Sequence, residues 1–177
     1  MNYATIKNCD IANGPGVRVS LFVSGCRHRC PDCFNEMAWD FDYGEPFTPE
    51  VEERLLAALE PGYIRGLTIL GGEPFEPENQ PALLEFLKKV RQRLPQKTIW
   101  CYTGFTYDML LHGRAYVPGV TRTMLECLDV LVDGPFIKEQ KDLSLSFRGS
   151  SNQRIIDVRR TLYTGSVELW HDWQDRK

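Results

Sequence analysis

The sequence has no surplus of positive charge. Its 21 lysines and arginines fall short of its 24 aspartates and glutamates, a net charge of −3 with histidine neutral. Nothing in that balance would neutralise a phosphate backbone, so no nucleic-acid partner is expected. There is no apolar run long enough to cross a bilayer, which excludes a membrane-spanning role. The opening stretch, Met1 to Ala12, lacks the basic start and apolar run of a secretion signal. The expectation is a soluble, cytoplasmic protein. Repeats, low-complexity tracts and linker-like stretches are missing too, so residues 1–177 read as one domain, with 159–177 a C-terminal tail of no assigned role. Histidine is scarce, at 3 residues, and no Ser/His/Asp signature stands out.

What is there is ordinary material for a globular core: 177 residues, 42% of them hydrophobic. Val17–Val23 is rich in β-branched and apolar residues and stops at Ser24-Gly25, which predicts a strand followed by a loop. Thr48 is placed to cap a helix that has Pro49 at its first position, acidic residues in its first turn, and Leu55, Leu56 and Leu59 on its apolar stripe. Leu67–Leu70, closed by Gly71-Gly72, predicts a second strand. Pro81–Leu94 carries Leu83, Leu84, Leu87, Val90 and Leu94 at helical spacing. Thr98–Tyr102 and Val130–Val132 predict two more strands, with short helices around Tyr107–Leu111 and Thr121–Leu128. Leu143–Phe147 and Ile155–Val158 read as later strands. Strands alternating with amphipathic helices mean βαβ units and a parallel sheet, whose chemistry sits at the C-terminal strand ends. The unusual residues all fall there: Cys26–Cys33 after the first strand, Gly71–Pro74 after the second, Thr103-Gly104 after the third, and Asp133-Gly134-Pro135 after the fourth.

Six cysteines are present. Cys9, Cys101 and Cys127 are scattered through apolar stretches and read as inert thiols. Cys26, Cys30 and Cys33 form C-x3-C-x2-C on one short loop, a spacing that lets three thiolates converge on one metal centre. A four-iron, four-sulfur cluster normally takes four cysteines. With three at hand and no fourth nearby, one iron would stay open, which is the mark of a reactive rather than a structural site. A structural zinc site completed by a remote histidine, His112 or His171, is the alternative on spacing alone. His28, between two of the cysteines, is poorly placed for that.

The cysteine spacing and Gly71-Gly72-Glu73-Pro74 on consecutive βα units resemble the radical S-adenosylmethionine (radical SAM) superfamily. Asn13-Gly14-Pro15-Gly16-Val17-Arg18 resembles the GPG-x-R stretch of glycyl-radical-enzyme activases. Trp100–Phe105, Val130–Phe136 and Arg148-Gly149-Ser150-Ser151-Asn152-Gln153 look like blocks of the activating proteins of anaerobic ribonucleoside-triphosphate reductase. The resemblance covers about Ile11 to Val158. Two positions depart from the pattern: Asp32 stands where many members carry an aromatic residue, with Phe34 following Cys33, and Asn13 stands where the activases usually have aspartate.

The resemblance implies a radical SAM oxidoreductase on a partial (β/α) barrel of parallel strands, open on one side. A full barrel of eight units needs roughly 250 residues, so a shorter chain leaves a gap through which a protein loop can enter. Cys26, Cys30 and Cys33 would hold three irons of one [4Fe-4S] cluster, and S-adenosyl-L-methionine would chelate the fourth. Gly71, Gly72, Glu73 and Pro74 would receive its amino group, and Asp32, Cys33 and Phe34 would lie along the adenine. Thr103 and Asp133 are further candidates for ribose or amino contacts. An electron from a donor such as flavodoxin would cleave the sulfur–C5′ bond, and the 5′-deoxyadenosyl radical would take a hydrogen atom from a glycine of the partner, anaerobic ribonucleoside-triphosphate reductase. No side chain is required as catalytic acid, base or nucleophile. Arg27, His28 and Arg29 form a basic patch, read as a solvated loop or as a docking point for an acidic donor. Arg148–Gln153 reads as a polar surface loop. A non-catalytic zinc or iron–sulfur module, or a radical SAM enzyme acting on a small molecule, are the other readings.

Overall fold

The apolar runs that read as strands lie side by side. In a computed structural model, which describes residues 1–171, the strands are β1 (Asn2–Asp10), β2 (Val17–Val23), β3 (Glu45–Pro46), β4 (Ile64–Gly71), β5 (Thr98–Tyr102), β6 (Val130–Asp133) and β7 (Arg154–Asp157). They form one sheet in the order β3-β1-β2-β4-β5-β6-β7. β2, β4, β5 and β6 run parallel. β1, β3 and β7 are antiparallel to their neighbours, so the expectation of parallel strands holds only for the middle of the sheet. Pairing of Val23 with Gly71, and of Tyr102 with Val132, brings the C-terminal ends of the central strands to one rim.

Alternation along the strands sorts their side chains into two cores. Val19, Leu21, Val23, Leu67, Ile69, Ile99, Cys101 and Leu131 face one way, into the main hydrophobic cluster. Helices α1 (Pro49–Leu59), α2 (Gln80–Arg93), α3 (Tyr107–His112), α4 (Thr121–Glu126) and α5 (Val158–Thr164) all contribute to it. Leu55, Leu56 and Leu59 of α1 are fully buried, as their spacing predicts. Thr48 occupies the N-cap position of α1 without a side-chain bond to the helix backbone, leaving Pro49 as the start signal. On the opposite face Trp100, Val130 and Val132 form a second, smaller cluster. No helix among the described residues is long and apolar enough to cross a membrane.

On the Trp100 face lies a fully buried cation. Arg18, on β2, donates through Nε to Thr68 Oγ1 at 2.6 Å and through a terminal nitrogen to Leu67 O at 2.7 Å, both on β4. It reaches Thr98 of β5 through Oγ1 at 3.0 Å and O at 3.1 Å. Its guanidinium carbon lies 5.6 Å from the Trp100 ring centroid. Burial draws its pKa down to about 10, and the carbonyl and hydroxyl acceptors keep the charge tolerable. This explains the Gly14-Pro15-Gly16 turn before it: a Cβ on Gly14 would lie 3.0 Å from Arg18 Cδ and 3.2 Å from Trp100. Asn13 donates to Asp10 Oδ2 at 2.6 Å, a place where aspartate would set two carboxylates together.

Three further outcomes differ from the sequence reading. β1 is a nine-residue strand within Met1 to Ala12, where the sequence reading assigns no element. Leu143–Phe147 is a turn rather than a strand: Asp142 Oδ1 accepts from the backbone N–H and hydroxyl of Ser144, and Phe147 has φ 57°. The last strand is Arg154–Asp157, and Val158 already begins α5. In the tail, Trp170 packs back on the body at 5.1 Å from Trp100, and its backbone N–H donates to Ile155 O. Trp173 lies outside the described residues.

Arg18→Lys tests the buried fork. A single ammonium cannot serve acceptors on two neighbouring strands at once, and a loss of about 2–4 kcal/mol is expected. Urea unfolding measures it; a midpoint equal to that of the native protein would contradict the assignment.

Candidate metal centre

The exits of β2 and β4 are fastened to each other through backbone. Gly72 N–H donates to Val23 O at 2.7 Å, and Glu73 N–H to Gly25 O at 2.8 Å. Gly25 N–H donates to Ala38 O at 2.8 Å, and Cys26 N–H to Trp39 O at 3.2 Å, which brings in the short 3-10 turn Glu36–Trp39. The approach is close enough to require glycine: a Cβ on Gly72 would lie 2.7 Å from Gly25 O, and Gly71 has φ 114° with a Cβ position 2.7 Å from Val23 N. Two loops of unusual sequence are thereby held as one body.

Glu73 is the centre of that body. Its carboxylate is almost completely buried and accepts from Phe75 N–H, Thr103 Oγ1–H, Gly104 N–H and His28 Nε2, each at 2.8 Å. Those donors come from its own turn, from the exit of β5 and from the cysteine loop. A buried carboxylate needs such a set. Asn79, also buried, donates to Ser24 O at 2.9 Å and to Glu73 O at 3.0 Å. Glu76 accepts from Arg27 N–H at 2.8 Å and from the Arg27 guanidinium at 2.6 Å.

The three clustered thiols sit on the rim of this frame. Cys26 is buried and Cys30 and Cys33 are half-buried, and none is in a disulfide. Burial, aided by the negative charge of Glu73, pushes the Cys26 thiol up to about 12, and burial raises Cys30 as well. As isolated thiols Cys26 and Cys30 are poor nucleophiles at neutral pH, whereas a bound metal would displace their protons. Soft thiolate donors on a short loop fit zinc or an iron–sulfur cluster. Among the described residues, no three His, Cys, Asp or Glu side chains are grouped as a single-ion site requires.

The other candidate residues fall around the frame. Asp32 has φ 57° and pairs with Lys138 at 2.9 Å, and Phe34 is 80% exposed. Thr103 is occupied within the protein, donating to Glu73 and accepting from Phe105 N–H. Asp133 accepts from Tyr107 N–H at the start of α3 and from two nitrogens of Arg154. Arg148–Gln153 is not a free surface loop. Asn152 donates to Pro135 O and Gln153 to Gly134 O, so the loop clasps the turn after β6. The basic patch also dissolves. Arg27 is taken by Glu76 and Glu78, and His28 by Glu73, leaving Arg29 as its outward cation.

A family model described as a 4Fe-4S single cluster domain matches residues 12–156. The anaerobic ribonucleoside-triphosphate reductase-activating protein of Escherichia coli (strain K12) is 40% identical over 161 residues, covering 90% of this chain and 100% of its own. This chain belongs to that family. The same protein of Vibrio cholerae is 41% identical over 157 residues, covering 88% of this chain and 97% of its own. That of Enterobacteria phage T4 is 38% identical over 155 residues, covering 88% and 93%. The family model takes in the cysteine loop, the Gly71–Pro74 turn and the strands that carry them, and stops before α5.

Glu76 and Asn79 are residues of this frame that sequence reasoning missed, and His28, read there only as part of a basic patch, joins it through Glu73. Glu76 and Asn79 stand three and six positions after Glu73, where a polar residue ahead of a helix reads as a cap. Asn79 is at the N-cap position of α2, yet its amide turns to the two loops instead.

Glu73→Gln should destabilise the folded chain by about 2–4 kcal/mol, because the amide sets its own N–H groups against inward-pointing donors. Urea unfolding checks this, and an unchanged midpoint would mean the network carries little.

Proposed function

We propose that this chain is a radical SAM activating enzyme for anaerobic ribonucleoside-triphosphate reductase. The observation that carries the reading is the backbone-to-backbone lock between the C-x3-C-x2-C loop and the Gly71–Pro74 turn at the C-terminal rim of parallel strands. A zinc module would account for the cysteines alone and give the second turn no task. Membership of the activating-protein family supports the partner, and the four-iron family model supports the cluster.

Cys26, Cys30 and Cys33 would hold a [4Fe-4S] cluster. Reduced and loaded with S-adenosyl-L-methionine, such a cluster would supply the one-electron cleavage of the sulfur–C5′ bond, and the hydrogen atom would come from a glycine of the partner reductase, leaving the radical there. The protein's part is placement and exclusion of water. Gly71 and Gly72 let the turn pack against the exit of β2, and Glu73 would fix the turn that receives the ligand's amino group. Asp32 and Phe34, which flank the third cysteine, would lie along the adenine. Thr103 and Asp133 act as supports: one holds Glu73, the other anchors α3 and Arg154. We read the open seven-stranded sheet as a partial barrel, with β3 and β7 as its separated edges, and the partner's glycine loop as entering on that side. A flavodoxin-like protein would deliver the electron at Arg29.

Electron paramagnetic resonance on anaerobically reconstituted, reduced protein tests this. A four-iron signal that changes shape when S-adenosyl-L-methionine is added is the expected result. A signal indifferent to it, or zinc in place of iron, would sink the proposal. Separately, Cys26→Ala, Cys30→Ala and Cys33→Ala should each abolish stable cluster loading, while Cys127→Ala keeps it. Iron and acid-labile sulfide per chain measure this, and full loading of any of the three loop variants would remove that cysteine from the ligand set.

A further inference from the structure

His28 lies in the cysteine loop but belongs, by contact, to the Gly71–Pro74 turn. Its Nε2 is 2.8 Å from Glu73 Oε2, the same oxygen that accepts from Gly104 N–H. The ring packs edge-on against Phe105, with centroids 4.4 Å apart. It also lies against Gly104, where a Cβ would lie 2.7 Å from the ring. The side chain is only 13% exposed although it sits in a loop between two thiols. The imidazole is therefore held in place from several directions by groups that belong to other strand exits.

The residue before it is fastened the same way. Arg27 reaches Glu76 through its backbone N–H and its guanidinium, and it stacks over Phe41 at 4.4 Å. Glu73 and Glu76 lie on one short stretch after β4. The cysteine loop is thus referenced to that stretch at two consecutive positions, and beyond them Arg29 turns away with φ 49°. A ligand that bridges the loop and the turn needs their separation fixed, because an error of an ångström there is felt directly in binding.

We propose that His28 is a positioning residue. It latches the cysteine loop onto the Glu73 carboxylate and so sets the distance between the cluster and the turn that receives the amino group of S-adenosyl-L-methionine. This rests on the function proposed above. The latch works by hydrogen bonding and packing, so glutamine, which keeps an N–H donor at similar reach, replaces it in part, and alanine does not. Gly104 is the complementary half of the latch, since a methyl group there pushes the ring off Glu73 while leaving the Gly104 N–H in place.

The test uses the full chain, reconstituted and reduced, with S-adenosyl-L-methionine titrated against the paramagnetic resonance signal. Iron per chain and the thermal midpoint are measured alongside. His28→Ala is expected to keep its iron and to weaken the ligand-induced change roughly tenfold, with His28→Gln recovering most of that loss. Gly104→Ala is expected to weaken binding in the native background and to add nothing in the His28→Ala background, the coupling a shared contact requires. If His28→Ala titrates like the native protein, or if it loses iron and fold with no recovery by glutamine, the latch is overturned while the proposed function stands. If the native protein itself shows no response to S-adenosyl-L-methionine, the proposed function falls and the latch with it.

Discussion

The site depends on one buried carboxylate. Glu73 gathers donors from the loop after β2, from its own turn after β4 and from the segment after β5. A buried anion with fewer donors would be costly, and each donor withdrawn would leave another polar group without a partner. The carboxylate therefore requires all its neighbours to be in place together. That mutual requirement makes three separate loops behave as one rigid platform for the cysteines.

The same strands are tied at their other end by a charge of opposite sign. Arg18 on β2 reaches Leu67 and Thr68 on β4 and Thr98 on β5, near the start of the parallel run. Glu73 joins the exits of those same strands. Each group crosses strands that backbone pairing alone would only hold side by side. A shift of β4 by one residue would break both sets of bonds and turn its apolar face outward. Register at the rim, which decides where Cys26 stands relative to Gly72, is therefore fixed from both ends.

Much of this was legible in the sequence because it rests on local patterns. The β-branched runs of β2 and β4, the stripe on α1 and the leucines of α2 follow from periodicity, and the glycine pairs mark the strand exits. The cysteine loop and the Gly71–Pro74 turn stood out because their residue types are rare in such clusters. What was not legible depends on contacts far apart in sequence. β1 alternates weakly because much of it faces solvent, and its identity comes from pairing with β2. Leu143–Phe147 has the composition of a strand, but the Asp142 side chain closes a turn there. Arg27 and His28 read as loop charges because their partners lie 45 or more positions away. Thr103 and Asp133 sit at the expected strand ends, yet what their side chains hold is other parts of the protein.

The segment beyond the family model also touches the sheet at its far edge. Leu169 bridges Ile156, Asp157 N–H donates to Glu168 O, and Trp170 N–H donates to Ile155 O, so residues 168–170 lie along β7 without forming a further strand. Trp170 at the same time covers Trp100. An uncovered strand edge is a template on which another chain can grow, and a bare indole beside it makes that growth more favourable. Residues 168–170 thus act as a selvedge: they occupy backbone groups along the margin of β7 and keep the Trp100 indole from water.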